Sequence, residues 1–273
     1  MELILQQGLP HQQKAIDAVC GALDGVTIIP PVQFYENPQI DLADRKLFAN
    51  LRALQNSVPA EYRSSAPVGT CLNLDIKMET GTGKTYVYTK TIFELHKRYG
   101  INKFIIVVPS LAIKAGTAQF VQDEYSRRHF TDGCGYGTEI ELGVLEAPKN
   151  KKKGRSYFPS VVSDFVKGSC QNAKKIYVLL VNMQLLTSNS KRNGRDAGLL
   201  WRDDYDYGAE GFIVLSMLFG QQSPWSLLTS HIVSLVTKRR FRPLWTKFSR
   251  SALFATALRS RRLLLGAVGI KSL

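Results

Sequence analysis

The chain has 273 residues, 44% of them hydrophobic, which is room for one large or two ordinary domains around a real core and places it among soluble globular proteins. Cys20, Cys71, Cys134 and Cys170 are too far apart for C-x-x-C pairs, and His11, His96, His129 and His231 offer no i, i+4 pairing, so nothing supports a metal centre and free thiols in a reducing cytoplasm are expected. The formal net charge of +14 invites a nucleic-acid reading, but Gly211 to Leu273 holds ten Lys and Arg and no Asp or Glu, leaving 26 basic against 22 acidic residues, a balance of +4, over residues 1–210.

The N-terminus, Met1 to Gly8, has no basic region and no long apolar core, so it does not read as a signal peptide. Leu9 to Ile16 opens a helix that Pro10 can start, with Ile16 and Val19 on one face. Residues 26–70 carry Pro30, Pro31, Pro38, Pro59 and Pro67 around one predicted helix, Asp41 to Asn56, whose Leu47, Phe48, Leu51 and Leu54 form an apolar stripe. We read this segment as an insertion packed on the core.

Alternating apolar residues at Leu72, Leu74, Ile76 and Met78 predict a strand, and Tyr88, Ile92, Leu95 and Tyr99 recur at helical spacing up to Gly100. Between them lies Glu79-Thr80-Gly81-Thr82-Gly83-Lys84-Thr85, so a glycine loop joins strand to helix. Gly81 and Gly83 carry no side chain to block close approach, and successive N–H groups can turn onto phosphate oxygens while the helix dipole points at them. In that arrangement Lys84 reaches the β and γ phosphates of ATP and the Thr85 hydroxyl holds Mg2+. A chance glycine turn before a basic helix is the plain alternative. Met78 stands where G-x-x-x-x-G-K-[ST] has its first glycine, and the form T-G-x-G-K-T is similar to that of superfamily two helicases and translocases. Leu9, Gln12 and Ala15 resemble the glutamine motif those enzymes place upstream, where a Gln amide pairs with the two hydrogen-bonding edges of adenine; Gln12 fits it better than Gln13.

Phe104 to Val108 is a continuous apolar run of strand length, which argues for a parallel sheet covered by helices on both faces and makes strand, helix and strand a βαβ unit. The Val108-Pro109-Ser110 segment at its end is similar to the superfamily's motif Ia, with Ser110 and Lys114 as candidates to grip a DNA backbone; a plain loop and helix start is the alternative. Asp123-Glu124 has the letters of a Walker B box but sits in a helical pattern with Ala118, Val121 and Tyr125 and is followed by Tyr125-Ser126, so it is rejected as the catalytic carboxylate pair. Leu142 to Leu145 predicts a strand, Lys149 to Arg155 a basic loop read as a solvated turn, and Lys175 to Asn182 another buried strand with Met183-Gln184 beyond it.

Asp75 to Tyr88 followed by Ile105 to Ser110 resembles the Res (restriction) subunit of type III restriction–modification systems, over residues 5 to about 207. The resemblance implies an α/β, RecA-like P-loop domain, a parallel sheet flanked by helices, incomplete in this chain, with nucleotide at the C-terminal ends of the strands. It implies a first ATP-binding motor domain over 1–210, cytoplasmic and without a membrane anchor, with Gln12 and Thr80 to Thr85 on ATP and Mg2+, DNA as partner, and a methyltransferase (Mod) subunit in the intact complex. Family members continue into a strand ending in Asp-Glu-x-His, and nothing between Ala209 and Leu273 supplies it. From Gly211 onward 63 residues have no carboxylate side chain, whereas an ordinary domain mixes both signs. We therefore expect 211–273 to be an aberrant basic tail, out of frame with the gene or disordered, and the chain to bind nucleotide without turning it over. A membrane anchor is disfavoured because Gln221 to Pro224 divides the apolar run below the ~20 residues a span requires. A basic arm with Phe241, Trp245 and Phe248 for base stacking is a further reading of the tail. For the whole chain the alternatives are a non-enzymatic ATP- or DNA-binding module, another superfamily two DNA helicase, and a small P-loop kinase.

Overall fold

A computed structural model describes residues 5–60, 63, 72, 74–146, 156–157, 159–186, 205–206 and 269–271. In chain order these form α1 (Pro10–Ala22), β1 (Ile28–Ile29), β2 (Gln39–Ile40), α2 (Arg45–Asn56), β3 (Asp75–Lys77), α3 (Lys84–Tyr99), β4 (Lys103–Val108), α4 (Leu111–Gln122), α5 (Glu124–Arg128), a π turn (His129–Gly133), β5 (Glu139–Val144), β6 (Ser156–Tyr157), α6 (Ser160–Lys167), β7 (Lys175–Asn182), α7 (Met183–Leu186), β8 (Tyr205–Asp206) and β9 (Gly269–Lys271). They fall into two compact units, one of Met1–Gln7, Ile28–Gln39 and Tyr88–Val233, the other of Gly8–Thr27, Ile40–Val87 and Ser234–Leu273.

The first unit is built on a parallel sheet in the order β4-β7-β5. Lys103 pairs with Tyr177 through to Val108 with Asn182 on one side of β7, and Glu139 with Lys175 through to Val144 with Leu180 on the other. The central strand is apolar on both faces, with Ile176, Val178, Leu179, Leu180 and Val181 at most 1% exposed, which is the consequence of helices covering a parallel sheet. Packing of α4 and α6 against the sheet supplies that cover. At Gly143 a Cβ would stand 2.9 Å from a Val161 methyl, so glycine lets α6 approach β5 closely. The predicted strand Phe104 to Val108 is present with one residue added. The one predicted from Leu142 begins at Glu139 instead, because pairing with β7 extends it through the exposed Glu139 and Glu141 of an edge strand.

Polar groups pin the same sheet. Asn37 is 5% exposed; its Oδ1 accepts from the backbone N–H of Asn102 at 2.8 Å and of Lys103 at 2.9 Å, and its Nδ2 donates to the Lys103 carbonyl at 2.8 Å. The Lys103 ammonium donates to the carbonyls of Tyr35 and Val166, and burial pulls its pKa down to about 8. Phe93 stacks between Phe130 and Tyr136, and the Tyr136 hydroxyl donates to Glu94 at 2.6 Å.

In the second unit α1 starts at Pro10, whose fixed φ suits a first helical position, and buries Ala15, Ile16 and Val19. Capped by Asp44, α2 starts at Arg45, four residues later than the sequence pattern suggests. The Asp44 carboxylate accepts from the N–H of Lys46 at 2.8 Å and of Thr27 at 2.7 Å, and these two donors hold its pKa below the usual carboxylate value. Only Leu47 and Leu51 of the predicted stripe are buried, and Phe48 is 41% exposed. Of the strand expected over 72–78, the described residues are regular at Asp75–Lys77, where they pair in parallel with Gly269–Lys271. Those three residues are the part of the 211–273 tail that is described; the basic loop 149–155 lies outside the described residues, as do Trp225, Phe241, Trp245 and Phe248.

Candidate functional site

The glycine loop lies between β3 and α3, wholly within the second unit. Gly81 and Gly83 have φ of +85° and +81°, a left-handed backbone that glycine adopts without penalty. Their surroundings differ. A Cβ at Gly81 would meet nothing within 4 Å, whereas one at Gly83 would stand 2.5 Å from the Gln12 Nε2. The α3 ladder begins inside the loop, with the Val87 N–H donating to the Gly83 carbonyl at 3.1 Å.

Four side chains close the loop on itself and on α1. The Thr82 hydroxyl and the Lys84 ammonium both donate to the Glu79 carbonyl, each at 2.8 Å. The Gln12 amide donates to the Thr82 carbonyl at 3.1 Å, and the His11 ring Nε2 lies 3.2 Å from the same oxygen. Gln12 is 6% exposed, and its Oε1 is buried without a hydrogen-bond partner. A buried acceptor left so costs about 1–3 kcal/mol, and a ligand that offers a donor there would recover it. Gln13, by contrast, bonds Asp17 at 2.9 Å along its own helix surface. Thr80 is exposed, Thr85 half-buried, and Lys84 half-buried at the first position of α3. Chemically this is a backbone that another molecule can approach closely at Gly81, flanked by a cation on a flexible stem and the positive end of a 16-residue helix, a setting for an anion.

Ser110 and Lys114 belong to the first unit. The Ser110 hydroxyl caps α4 by accepting from the Ile113 N–H at 3.3 Å. Lys114 does not face outward as a backbone-gripping lysine would: it is 6% exposed and its ammonium donates to the Leu145 carbonyl. Burial lowers its pKa, opposed by the nearby Glu146. The sequence held a signal for this, because Lys114, Thr117 and Val121 fall on one stripe of α4 and all three are buried. Asp123 accepts from the Ser126 N–H at 3.0 Å and caps α5, so it ends no strand. His11 carried no role in the sequence reading; its position beside Gln12 was the available clue.

Among the described residues no helix is long and apolar enough to cross a membrane, and no group of three His, Cys, Asp or Glu is placed to hold a metal ion. Helices around a parallel sheet, with a glycine loop leading into a helix, make this an α/β domain of the RecA-like helicase type. A family model described as "Type III restriction enzyme, res subunit" matches residues 7–201, and the chain belongs to that family. It is 38% identical over 200 residues to the type III restriction-modification enzyme EcoPI Res subunit of Escherichia phage P1, covering 71% of this chain and 20% of the relative. The EcoP15I Res subunit of Escherichia coli is 39% identical over 201 residues, 72% of this chain and 20% of its own. The StyLTI Res subunit of Salmonella typhimurium is 37% identical over 204 residues, 74% of this chain and 17% of its own. The chain thus spans about a fifth of the length of the curated relatives it matches.

Proposed function

We propose that this chain carries the ATP-binding part of a type III Res subunit, working on DNA in the cytoplasm beside a methyltransferase (Mod) partner. The observation that carries the reading is the glycine loop held by Gln12, with Lys84 at the helix start and an unpaired amide oxygen beside it. In this reading Gln12 Oε1 accepts from the adenine amino group and its second N–H donates to the ring nitrogen. The N–H groups of Thr80 to Thr85 cradle the phosphates, Lys84 leaves Glu79 for the β and γ oxygens, and Thr85 holds Mg2+. Bound ATP and Mg2+ would bring the charge and the transferable phosphoryl group; the chain's own residues bind and orient. Ser110 is the remaining candidate for a DNA backbone contact, since Lys114 would first have to release Leu145.

No Asp-Glu-x-His occurs in the sequence, so the carboxylates that position Mg2+ and the attacking water in phosphoryl transfer are not supplied by a motif of that form. We therefore propose that residues 1–273 by themselves bind nucleotide without turning it over. The family match ends at residue 201, ahead of the carboxylate-free stretch that begins at Gly211, which supports reading 211–273 as foreign to the motor domain and, on its composition, as out of frame. Titration of the purified chain with a fluorescent ATP analogue and Mg2+, in wild type and Lys84→Ala, tests the reading. Loss of a charge-assisted contact should weaken binding by about ten- to a hundredfold. Equal affinity of the two proteins would defeat the assignment, and DNA-stimulated ATP hydrolysis by wild type would defeat the proposal of binding without turnover.

A further inference from the structure

We propose that His11 is a positioning residue for the triphosphate: together with Gln12 it clamps the Thr82 carbonyl and so fixes the direction of the Gly83 amide. The inference rests on the nucleotide reading above and adds to it a residue to which that reading gives no role.

The Thr82 carbonyl and the Gly83 N–H belong to one planar trans peptide, so they point in opposite directions and turning one turns the other. Rotation of that peptide is absorbed by the Thr82 ψ and the Gly83 φ. Glycine occupies positive and negative φ about equally, so nothing in residue 83 itself holds the observed φ of +81°. The choice is made from α1. The Gln12 Nε2 and the His11 Nε2 reach the Thr82 oxygen at 3.1 and 3.2 Å, enough to occupy both of its lone pairs. With the carbonyl held toward α1, the Gly83 N–H is aimed away from α1. His11 donates from the Nε2–H tautomer or from the imidazolium, so the clamp needs no particular charge on the ring.

The two donors differ in what else they can do. Gln12 has an Oε1 and a second N–H left for a base, so its loss mixes two effects. His11 spends its Nε2 on the loop, so its loss should report the clamp by itself. The prediction is a uniform penalty: any ligand whose phosphates use the loop loses the same factor, whatever its base.

The test compares His11→Gln, which keeps a donor, with His11→Met, which has similar size and none, in the full chain. Mg-ATP, Mg-GTP and Mg-tripolyphosphate are each titrated by competition against a fluorescent ATP analogue. The loss of one hydrogen bond predicts about a two- to tenfold weaker dissociation constant for His11→Met, by the same factor for all three ligands, with His11→Gln close to wild type. A role confined to packing would not separate two side chains of equal bulk. Binding by His11→Met at wild-type strength overturns the clamp, as does a loss restricted to Mg-ATP, or an equal loss in both variants. Wild type that binds none of the three overturns the nucleotide reading itself, and the clamp with it.

Discussion

Alanine at the two loop glycines should have unequal costs, and the difference measures how tightly Gln12 is fitted to the loop. Both positions have φ above +80°, so either substitution places an L side chain in a sparsely populated region at about 1–3 kcal/mol. Gly81→Ala pays that alone, because open space surrounds the new methyl. In Gly83→Ala the methyl stands 2.5 Å from the Gln12 Nε2, which must retreat by about 1 Å to ordinary van der Waals distance. That retreat stretches its 3.1 Å bond to Thr82 beyond useful length, adding about 0.5–1.5 kcal/mol. Urea unfolding of wild type, Gly81→Ala, Gly83→Ala, Gln12→Ala and the Gln12→Ala/Gly83→Ala pair gives the cycle. We expect Gly83→Ala to exceed Gly81→Ala by about 1 kcal/mol in the wild-type background and to match it once Gln12 is alanine. A gap that persists without Gln12, or no gap at all, would refute the contact as the cause.

Three further outcomes follow from the first unit and its ends. Asn37→Ala removes three buried hydrogen bonds between the 28–39 segment and residues 102–103 at the start of β4, leaving two N–H groups and a carbonyl unpaired, and should destabilise by about 2–4 kcal/mol in urea unfolding at constant slope. Lys103 titrates at about 8 folded against 10.5 unfolded, so the unfolded chain binds more protons between those values and stability should rise with pH across that window. The penalty on the charged form is fully present below pH 8, with a ceiling of about 3 kcal/mol, and Lys103→Met should abolish the rise; a wild type whose stability relative to Lys103→Met is flat from pH 7.5 to 10.5 would contradict the shift. Ser110→Ala should cost about 1 kcal/mol through the lost α4 cap, whereas Ser110→Asp keeps an acceptor there and should preserve stability. If Ser110 meets a DNA backbone as proposed, the aspartate should nonetheless weaken DNA binding more than the alanine does, by repulsion that shrinks with added salt; a gel-shift titration reads it.

What was legible in the sequence follows from how local its cause was. The strands Lys103–Val108 and Lys175–Asn182 and the helix from Pro10 are set by short-range patterns, an apolar run in two cases and a proline in the third, and they fall where the patterns place them. The glycine loop was readable for the same reason, since two glycines between an alternating and a helical segment mark a turn from strand to helix. The start of α2 was not, because Asp41 and Asp44 are both good caps and the choice was made by the Thr27 N–H, 17 residues away. The burial of Lys114 was not legible for a related reason: a lysine at the head of a helix reads as solvent-facing unless the stripe it joins is weighed first. The beginning of β5 needed its partner strand, since Glu139 and Glu141 become strand residues only through pairing with Lys175 and Tyr177. The resemblance singled out Gln12 and not His11, although the two reach one oxygen, because a motif assigns roles to single letters and geometry shares them.

The contacts around the glycine loop divide it into parts that can stay and one that has to move. Thr82 is held at both ends, its hydroxyl on Glu79 and its carbonyl on α1, and Gly83 is already committed to α3 through the Val87 N–H. None of these bonds uses a group that the proposed ATP contacts require. Lys84 is different, because its ammonium rests on the Glu79 carbonyl, a neutral acceptor that already receives the Thr82 hydroxyl. Transfer of that ammonium to a phosphate exchanges a neutral acceptor for an anionic one, adding a charge–charge attraction to a bond that the ammonium already makes charge-assisted. The Glu79 carbonyl keeps its second donor and is not orphaned by the exchange. A loop built this way pays little to reorganise when an anion arrives, so most of the gain at Lys84 is available as affinity.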